Sequence, residues 1–156
     1  MRTKAYIENN LGYIYLESKQ YKKAFNHLMT AKRIKEELKS EDLPNTLYEL
    51  YKYFIKTGDR VKALKYLDDG INFSKENDIK KSLIDGLDHY INYYLENSEY
   101  NKAIDILIKQ IEILKSVQMK DRLIKAYMKL GNTYNEIKNE REAILSFNKA
   151  YECMKA

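Results

Sequence analysis

The chain has 156 residues, with 28 basic and 23 acidic side chains, for a formal net charge of +5. One proline and five glycines supply too little turn chemistry for an all-β fold. No apolar run reaches the roughly 18 residues of a membrane span, and the single cysteine excludes an internal disulfide and suits a reducing, cytoplasmic compartment. The abundance of lysine, isoleucine, asparagine and tyrosine indicates an AT-rich, bacterial genome.

Apolar residues recur along the chain with the spacing of amphipathic helices, as in Ile7, Leu11, Ile14 and Tyr15. In chain order, this periodicity predicts eight helices, over about Lys4–Glu17, Tyr21–Leu38, Pro44–Lys56, Arg60–Lys75, Lys80–Glu96, Tyr100–Val117, Arg122–Glu136 and Glu140–Met154. The breaks between them are short and polar. We therefore expect antiparallel neighbours joined by tight turns.

Several residues in these breaks suit the ends of helices. Gly58 and Asn97 are able to adopt the left-handed backbone conformation that ends a helix. Side chains that cap the start of the next helix follow at Asp59, Ser98 and Asn139.

Four alanines mark an internal repeat, because Ala24, Ala63, Ala103 and Ala143 follow one another at a nearly constant spacing. A large apolar residue follows each alanine four positions later, at Leu28, Leu67, Leu107 and Phe147. A second small residue comes three positions further on, at Ala31, Gly70 and Ala150, whereas Gln110 interrupts the pattern in the third repeat. Such a fixed period predicts stacked helical units within one domain of residues 1–156. The repeats cover about residues 5–43, 44–83, 84–123 and 124–156.

These residues resemble those of the tetratricopeptide repeat (TPR) over nearly the whole chain. The Leu-Gly-x-x-Tyr element of that repeat is intact at Leu11–Tyr15 and at Leu130–Tyr134. The resemblance implies an all-α fold, a right-handed α-solenoid of four helix–turn–helix repeats with eight antiparallel helices. The repeats are about six residues longer than the usual 34. In their greater length the repeats are similar to those of bacterial cytoplasmic regulators that bind short signalling peptides.

Regulators of that kind carry an N-terminal output module, whereas this chain begins in its first repeat. We therefore expect a fragment of a regulator, a stand-alone adaptor, or a regulator that acts by binding a partner protein.

The resemblance also implies where a ligand binds, because the first helix of each TPR lines the concave face that holds extended peptides. Counting from the start of each repeat places eight residues on that face: Asn9, Tyr13, Tyr48, Lys52, Asp88, Asn92, Asn132 and Asn135. An asparagine amide both donates and accepts hydrogen bonds, so a row of asparagines can pair with a peptide backbone. Tyrosines supply rigid contact area. We expect a non-enzymatic module that docks an extended segment of a protein or short peptide. The most specific form of this expectation is the sensing domain of a regulator.

A different peptide site is the carboxylate clamp of relatives that bind chaperone C-termini. Lys52 and Asn92 lie at suitable positions for such a clamp, but Asp88 at a neighbouring position would repel a carboxylate. The clamp is therefore incomplete.

A structural alternative is a scaffold that assembles through its terminal helices. A solenoid normally needs a polar outer face on its last repeat. Here the last helix carries Leu145, Tyr151 and Met154, which we expect to be partly uncovered. The uncovered residues predict either a homo-oligomer formed through the C-terminal helix, which is the scaffold alternative, or a natural continuation of the solenoid beyond this helix.

No catalytic residue, cofactor or metal site is predicted. His27 and His89 lie in different helices with no ligand at metal-binding spacing, and the chain has no glycine loop of the phosphate-binding type. The positive charge is dispersed, since residues 84–123 hold seven acidic and five basic side chains. Dispersed charge argues against a nucleic-acid partner.

Overall fold

The computed structural model describes all 156 residues and contains eight α-helices and no strands. The helices are α1 (Arg2–Glu17), α2 (Tyr21–Glu37), α3 (Leu43–Thr57), α4 (Arg60–Glu76), α5 (Lys80–Glu96), α6 (Tyr100–Ser116), α7 (Lys120–Glu136) and α8 (Glu140–Lys155). Every predicted helix is present, and no bound differs from the expected one by more than two residues. None of the helices combines the length and the hydropathy of a membrane span.

The chain divides into two compact units, and the division falls within α5. Unit 1 comprises Met1–Gly86 and unit 2 comprises Leu87–Ala156. In unit 1, α1 pairs with α2 and α3 pairs with α4, while α2 also packs on α3. In unit 2, α7 pairs with α8 and α6 packs on α7. Consecutive helices are therefore neighbours in space, as the short turns predict.

The paired helices approach closely at the small residues of the repeat. The four alanines that define the repeat are all buried: Ala24, Ala63, Ala103 and Ala143. On α1, a Cβ atom added at Gly12 would lie 2.6 Å from Leu28 Cγ of α2. On α7, a Cβ atom added at Gly131 would lie 2.8 Å from the Phe147 ring of α8. Glycine is required at both positions because the large residue of the partner helix occupies the space of a methyl group.

Aromatic rings join the repeats of unit 1. The Phe25 ring of α2 lies 5.2 Å from that of Tyr53 and 6.1 Å from that of Phe54, both on α3. Phe54 in turn stacks on Tyr66 of α4 at 5.4 Å. Aromatic pairs in these geometries stabilise beyond the area that they bury. The cluster therefore ties the second helix of one repeat to both helices of the next.

Each of the seven turns between helices contains one residue in the left-handed region of backbone space. These residues follow one another at nearly constant intervals and are Lys19, Lys39, Gly58, Asp78, Ser98, Gln118 and Lys138. In the first turn, the N–H of Gln20 closes back on the carbonyl of Tyr15 at 2.8 Å, which satisfies an acceptor at the end of α1. The turns within and between repeats thus share one backbone conformation.

The left-handed cap expected at Gly58 is confirmed, with a φ of 88°. The expectations for the turn after α5 are wrong. Ser98 has the left-handed conformation, with a φ of 57°, while the Asn97 side chain donates to the carbonyl of Tyr93 at 2.7 Å. Glu99 is the N-cap residue of α6, and no side chain caps this helix.

Two helix N-caps are confirmed. The Asp59 carboxylate accepts from the backbone N–H of Lys62 at 3.0 Å, and the Asn139 side chain accepts from the backbone N–H of Glu142 at 3.3 Å. Each bond satisfies one of the donors that the start of a helix leaves unpaired.

A glycine at one of the non-glycine turn positions should stabilise the protein. The left-handed conformation costs an L-residue roughly 1–2 kcal/mol, so we expect Lys138→Gly to raise the free energy of unfolding by about 0.5–1 kcal/mol after the entropy of glycine is counted. Lys109→Gly, in the exposed interior of α6, should lower it by about 1 kcal/mol. Urea unfolding of the two variants and the wild type measures both effects. Equal destabilisation by both variants would contradict the prediction.

Candidate functional site

A depression lies among α5, α6 and α7 in unit 2. Its volume is about 420 Å³, and it is lined by Asp88, Asn92, Gln110, Leu114, Arg122, Lys125, Ala126 and Lys129. Leu114 and Ala126 are buried and form an apolar floor, whereas Lys125 is exposed at the rim. An apolar floor with a few convergent polar groups is the usual composition of a ligand site.

The Asp88 carboxylate joins the three helices around this depression. Its Oδ1 accepts from Gln110 Nε2 of α6 at 2.7 Å, and its Oδ2 accepts from Arg122 Nη2 of α7 at 2.6 Å. Gln110 is buried, and a buried amide needs a hydrogen-bond partner. Gln110 occupies the position at which the other repeats carry a small residue. Its bond to Asp88 explains this exception to the repeat.

The remaining charge of the depression is positive. Because Arg122 is paired with Asp88, the excess charge comes from Lys125 and Lys129, which lie one helical turn apart on α7. Lys129 Nζ donates to the Oδ1 of Asn92 at 3.1 Å. An asparagine of α5 and a lysine of α7 are thus held together at the rim.

A second depression of about 380 Å³ continues along α7. It is lined by Leu95, Tyr100, Lys129, Asn132, Thr133 and Glu136. Lys129 borders both depressions, and we call the two together the α5–α7 groove. Glu136 places a negative charge at the end of the groove opposite Lys125.

The structure brings together three of the residues that were predicted to bind a ligand and that belong to unit 2. Asp88, Asn92 and Asn132 line the α5–α7 groove. Asn135 is exposed but does not line it. A ligand role for these four residues stays a prediction. Asp88, with both carboxylate oxygens engaged, acts on the groove mainly by positioning its neighbours.

The basic side chains of the groove and Gln110 are not among the residues predicted to bind a ligand. Lys125 and Lys129 follow each other at the spacing of one helical turn on a first helix, which is the signal that would have placed them beside Asn132. Gln110 was noticed as a break in the repeat, but its partner Asp88 lies 22 residues earlier. No local pattern indicates that pair.

The predicted residues of unit 1 have different surroundings. Asn9 accepts from the Thr46 hydroxyl at 2.7 Å, and Tyr13 is exposed. Lys52 Nζ donates to Glu49 Oε1 at 2.7 Å, and the other oxygen of Glu49 is buried without a hydrogen-bond partner. Lys52 is therefore the counter-ion of a largely buried carboxylate. Contact of Asn9, Tyr13 and Lys52 with a ligand stays a prediction.

Tyr48 is a core residue, which corrects its expected place on a binding face. Its side chain is 3% exposed, and its hydroxyl donates to the backbone carbonyl of Ser82 at 2.8 Å. The ring fills space that Gly70 and Gly86 leave open, since a Cβ atom added at either glycine would overlap Tyr48. Burial raises the pKa of Tyr48 to about 12. A surface ligand does not reach this ring.

Comparisons with known proteins agree with the repeat pattern. The tetratricopeptide repeat family matches residues 9–38 and 124–152. No curated protein sequence matches the chain. Among solved structures, the apo form of RapI is similar at 22% identity with a TM-score of 0.79, and it aligns with 98% of this chain. The apo form of the quorum sensor NprR from B. thuringiensis is similar at 21% identity with a TM-score of 0.68 over 96% of this chain.

A third similar structure is a signal transduction ATPase with a tetratricopeptide repeat sensor from Pyrococcus horikoshii. It has 22% identity and a TM-score of 0.80 over 97% of this chain. The chain spans 56% of RapI, 42% of NprR and 24% of the ATPase. At these identities the likeness shows the fold, and it confirms the predicted all-α solenoid of tetratricopeptide type.

The raised pKa of Tyr48 predicts a specific loss of stability in alkali. The unfolded chain releases the tyrosine proton near pH 10 and the folded chain near pH 12, so the stability due to the neutral hydroxyl is complete below pH 10 and lost between these values. We expect wild type to lose more stability across this window than Tyr48→Phe, which has no proton to release. Urea midpoints measured below and within the window test this. Equal losses in the two proteins would contradict it.

Removal of the Asp88 carboxylate should destabilise unit 2. We expect Asp88→Ala to lower the free energy of unfolding by about 1–3 kcal/mol, because the buried Gln110 amide loses an acceptor. Asp105→Ala removes the same charge from an exposed position of α6 and should change it by no more than about 0.5 kcal/mol. Urea unfolding compares the two variants. A similar effect of both would mean that Asp88 does not hold the groove together.

Proposed function

We propose that this chain, a tetratricopeptide-repeat protein, is a non-enzymatic interaction module that holds an extended segment of a partner protein or short peptide in the α5–α7 groove. One observation carries the proposal. The predicted residues Asn92 and Asn132 line two neighbouring depressions that share Lys129, and the first of these also contains Lys125 and a buried apolar floor. Ligand sites combine apolar area with a few polar groups in this way.

The dimensions of the groove suit a short extended segment. Its α7 wall runs from Lys125 to Glu136, which is about 16 Å of helix at 1.5 Å per residue. An extended chain advances about 3.3 Å per residue, so about five ligand residues lie along this wall.

The charges of the groove give the ligand a direction. Lys125 and Lys129 lie toward one end and Glu136 lies at the other. A segment with acidic residues at one end and a basic residue at the other therefore fits in one orientation. Opposite charges of this kind contribute mainly to orientation and to the rate of association.

The asparagines supply contacts that do not depend on ligand sequence. Asn92 and Asn132 are exposed and line the two depressions of the groove, one each. Their amides can pair with backbone N–H and C=O groups of an extended ligand. Backbone pairing sets the affinity for any extended segment, while the lysines select among segments.

Within this class we place the chain as the sensing part of a bacterial cytoplasmic signalling regulator. The elongated repeats and the similarity of fold to RapI and to the quorum sensor NprR support that placement. A single cysteine in a chain of this length supports a reducing compartment.

Selection from a displayed library of linear peptides tests the proposal. Wild type should enrich peptides that carry acidic residues toward one end. Lys125→Glu with Lys129→Glu should weaken binding of an enriched peptide at least about tenfold, because two attractive charges become repulsive. Asn92→Ala with Asn132→Ala should weaken it about tenfold, or about 1.4 kcal/mol, for the lost amide hydrogen bonds. Fluorescence anisotropy with the labelled peptide measures each affinity.

The matched control is Lys65→Glu with Lys109→Glu. It makes the same change of charge at exposed positions of α4 and α6, outside the groove. The control should bind within about twofold of wild type at physiological salt, where the Debye length is about 8 Å. An equal loss in the control, or no enriched peptide at all, would refute the groove as the binding site.

A further inference from the structure

The two terminal helices each expose apolar side chains along one face. On α8, Ile144, Tyr151 and Met154 are 60%, 57% and 61% exposed, and on α1, Ile7 and Ile14 are 52% and 56% exposed. The expected exposure of the C-terminal helix is confirmed, and the structure adds a second apolar face at the first helix. We call these the α8 face and the α1 face.

The α6 helix buries the positions that are equivalent to the α8 face. Aligning the repeats on their alanines equates Ile144 and Tyr151 with Ile104 and Ile111 of α6, and both of these are buried. Leu145, which was expected to belong to the same surface, equates with an exposed aspartate of α6 and lies outside the α8 face. The α8 helix thus exposes apolar residues at positions that α6 buries.

The α1 face is likewise exposed at positions that a later repeat buries. Ile7 and Ile14 equate with Ala126 and Thr133 of α7, and both of these are buried in a helix that packs on the preceding α6. The α1 face therefore holds the positions that a first helix uses against the repeat before it.

Packing of α2 on α3 shows which residues would meet if the two faces came together. The rings of Phe25 and Tyr53 lie 5.2 Å apart in this interface. The repeat alignment equates Phe25 with Ile144 and Tyr53 with Ile14. Each of these isoleucines is exposed by more than half, so a contact between them removes apolar surface from water on both sides.

A second contact of the first and second repeats leads to the same result. Thr46 of α3 donates to Asn9 of α1 at 2.7 Å. The alignment equates Asn9 with Met128 and Thr46 with Ile7, and both of these are about half exposed. The polar pair of Asn9 and Thr46 thus corresponds to an apolar pair, Met128 and Ile7. Each of α7 and α1 carries an apolar residue where the interior contact is polar, so the two residues are suited to pack on each other.

We propose that a second copy of this chain covers the exposed faces, with the α8 face of one copy packed on the α1 face of the next as α2 packs on α3. Two different surfaces meet in this contact. The association is therefore heterologous, so further copies add until the assembly closes into a ring, or continue to add as a filament.

Two glutamates, Glu136 of one copy and Glu17 of the next, repel each other at the rim of this contact and weaken the association. In unit 1, Lys56 of α3 forms an ion pair with Glu17 of α1 at 2.7 Å. At the contact between copies, the alignment places Glu136 opposite Glu17 of the second copy. We therefore expect Glu136→Lys to tighten the association several-fold, since it restores opposite charges at this point.

Sedimentation velocity from low micromolar to submillimolar concentration tests the proposal. The mass of wild type should rise with concentration from the 18.6 kDa monomer to twice that value and beyond. Ile14→Glu and Ile144→Glu should each stay monomeric, because each places a charge in one of the two faces. Val61→Glu is the matched control: Val61 is 83% exposed on α4, outside both faces. It should associate as wild type does.

Mixing the two monomeric variants separates this arrangement from a symmetric one. Ile14→Glu keeps an intact α8 face and Ile144→Glu keeps an intact α1 face, so the mixture should form dimers and nothing larger. Circular dichroism confirms that each variant has kept its helices. A wild type that is monomeric at every concentration overturns the proposal. So does association that Ile14→Glu leaves unchanged, which would mean that α8 faces pair with each other.

Discussion

The close approach of paired helices is the constraint on which the rest of this structure depends. Each repeat buries an alanine of its second helix, and in the first and fourth repeats a large residue occupies the space beside a glycine, as Leu28 does beside Gly12. This contact sets the separation between the two helices of a repeat. In unit 2, α6 packs on α7, and the Asp88 carboxylate of α5 accepts hydrogen bonds from both of these helices. The α5–α7 groove is therefore a product of core packing and needs no separate loop or insertion.

Most of the fold could be predicted because one pattern of apolar residues repeats four times along the chain. Helix ends were predictable within two residues, since each turn is short and each helix has nearly the same length. The turn conformations were less predictable. Residue preference places the left-handed conformation at glycine or asparagine, whereas six of the seven turns use another residue type or position, as at Ser98. In every turn the N–H after the left-handed residue donates to a carbonyl five residues earlier, so closure of the helix end favours this conformation whatever the side chain.

The candidate site was partly predictable, and the reason lies in the range of the interactions. Asn92 and Asn132 were placed by counting within the repeat, because equivalent positions of first helices face the same way. Tyr48 holds one of those positions but is buried, because Gly70 and Gly86 open space for its ring. The bond between Asp88 and Gln110 is similarly specific to one repeat. Such exceptions depend on contacts between distant residues, which the repeat pattern does not contain.

The near-constant interval between left-handed residues limits how the gene can change in length. One residue inserted within a helix rotates all later side chains of that helix by about 100°, which would move a contact alanine away from its partner. The chain already contains one departure, since the interval from Lys39 to Gly58 is shorter by a single position than all the other intervals. That interval includes the short helix α3 and the turn before it. Asp42 is the N-cap residue of α3, and Pro44 lies in its first turn. Related genes should therefore differ by single residues only at turns, and elsewhere by whole repeats.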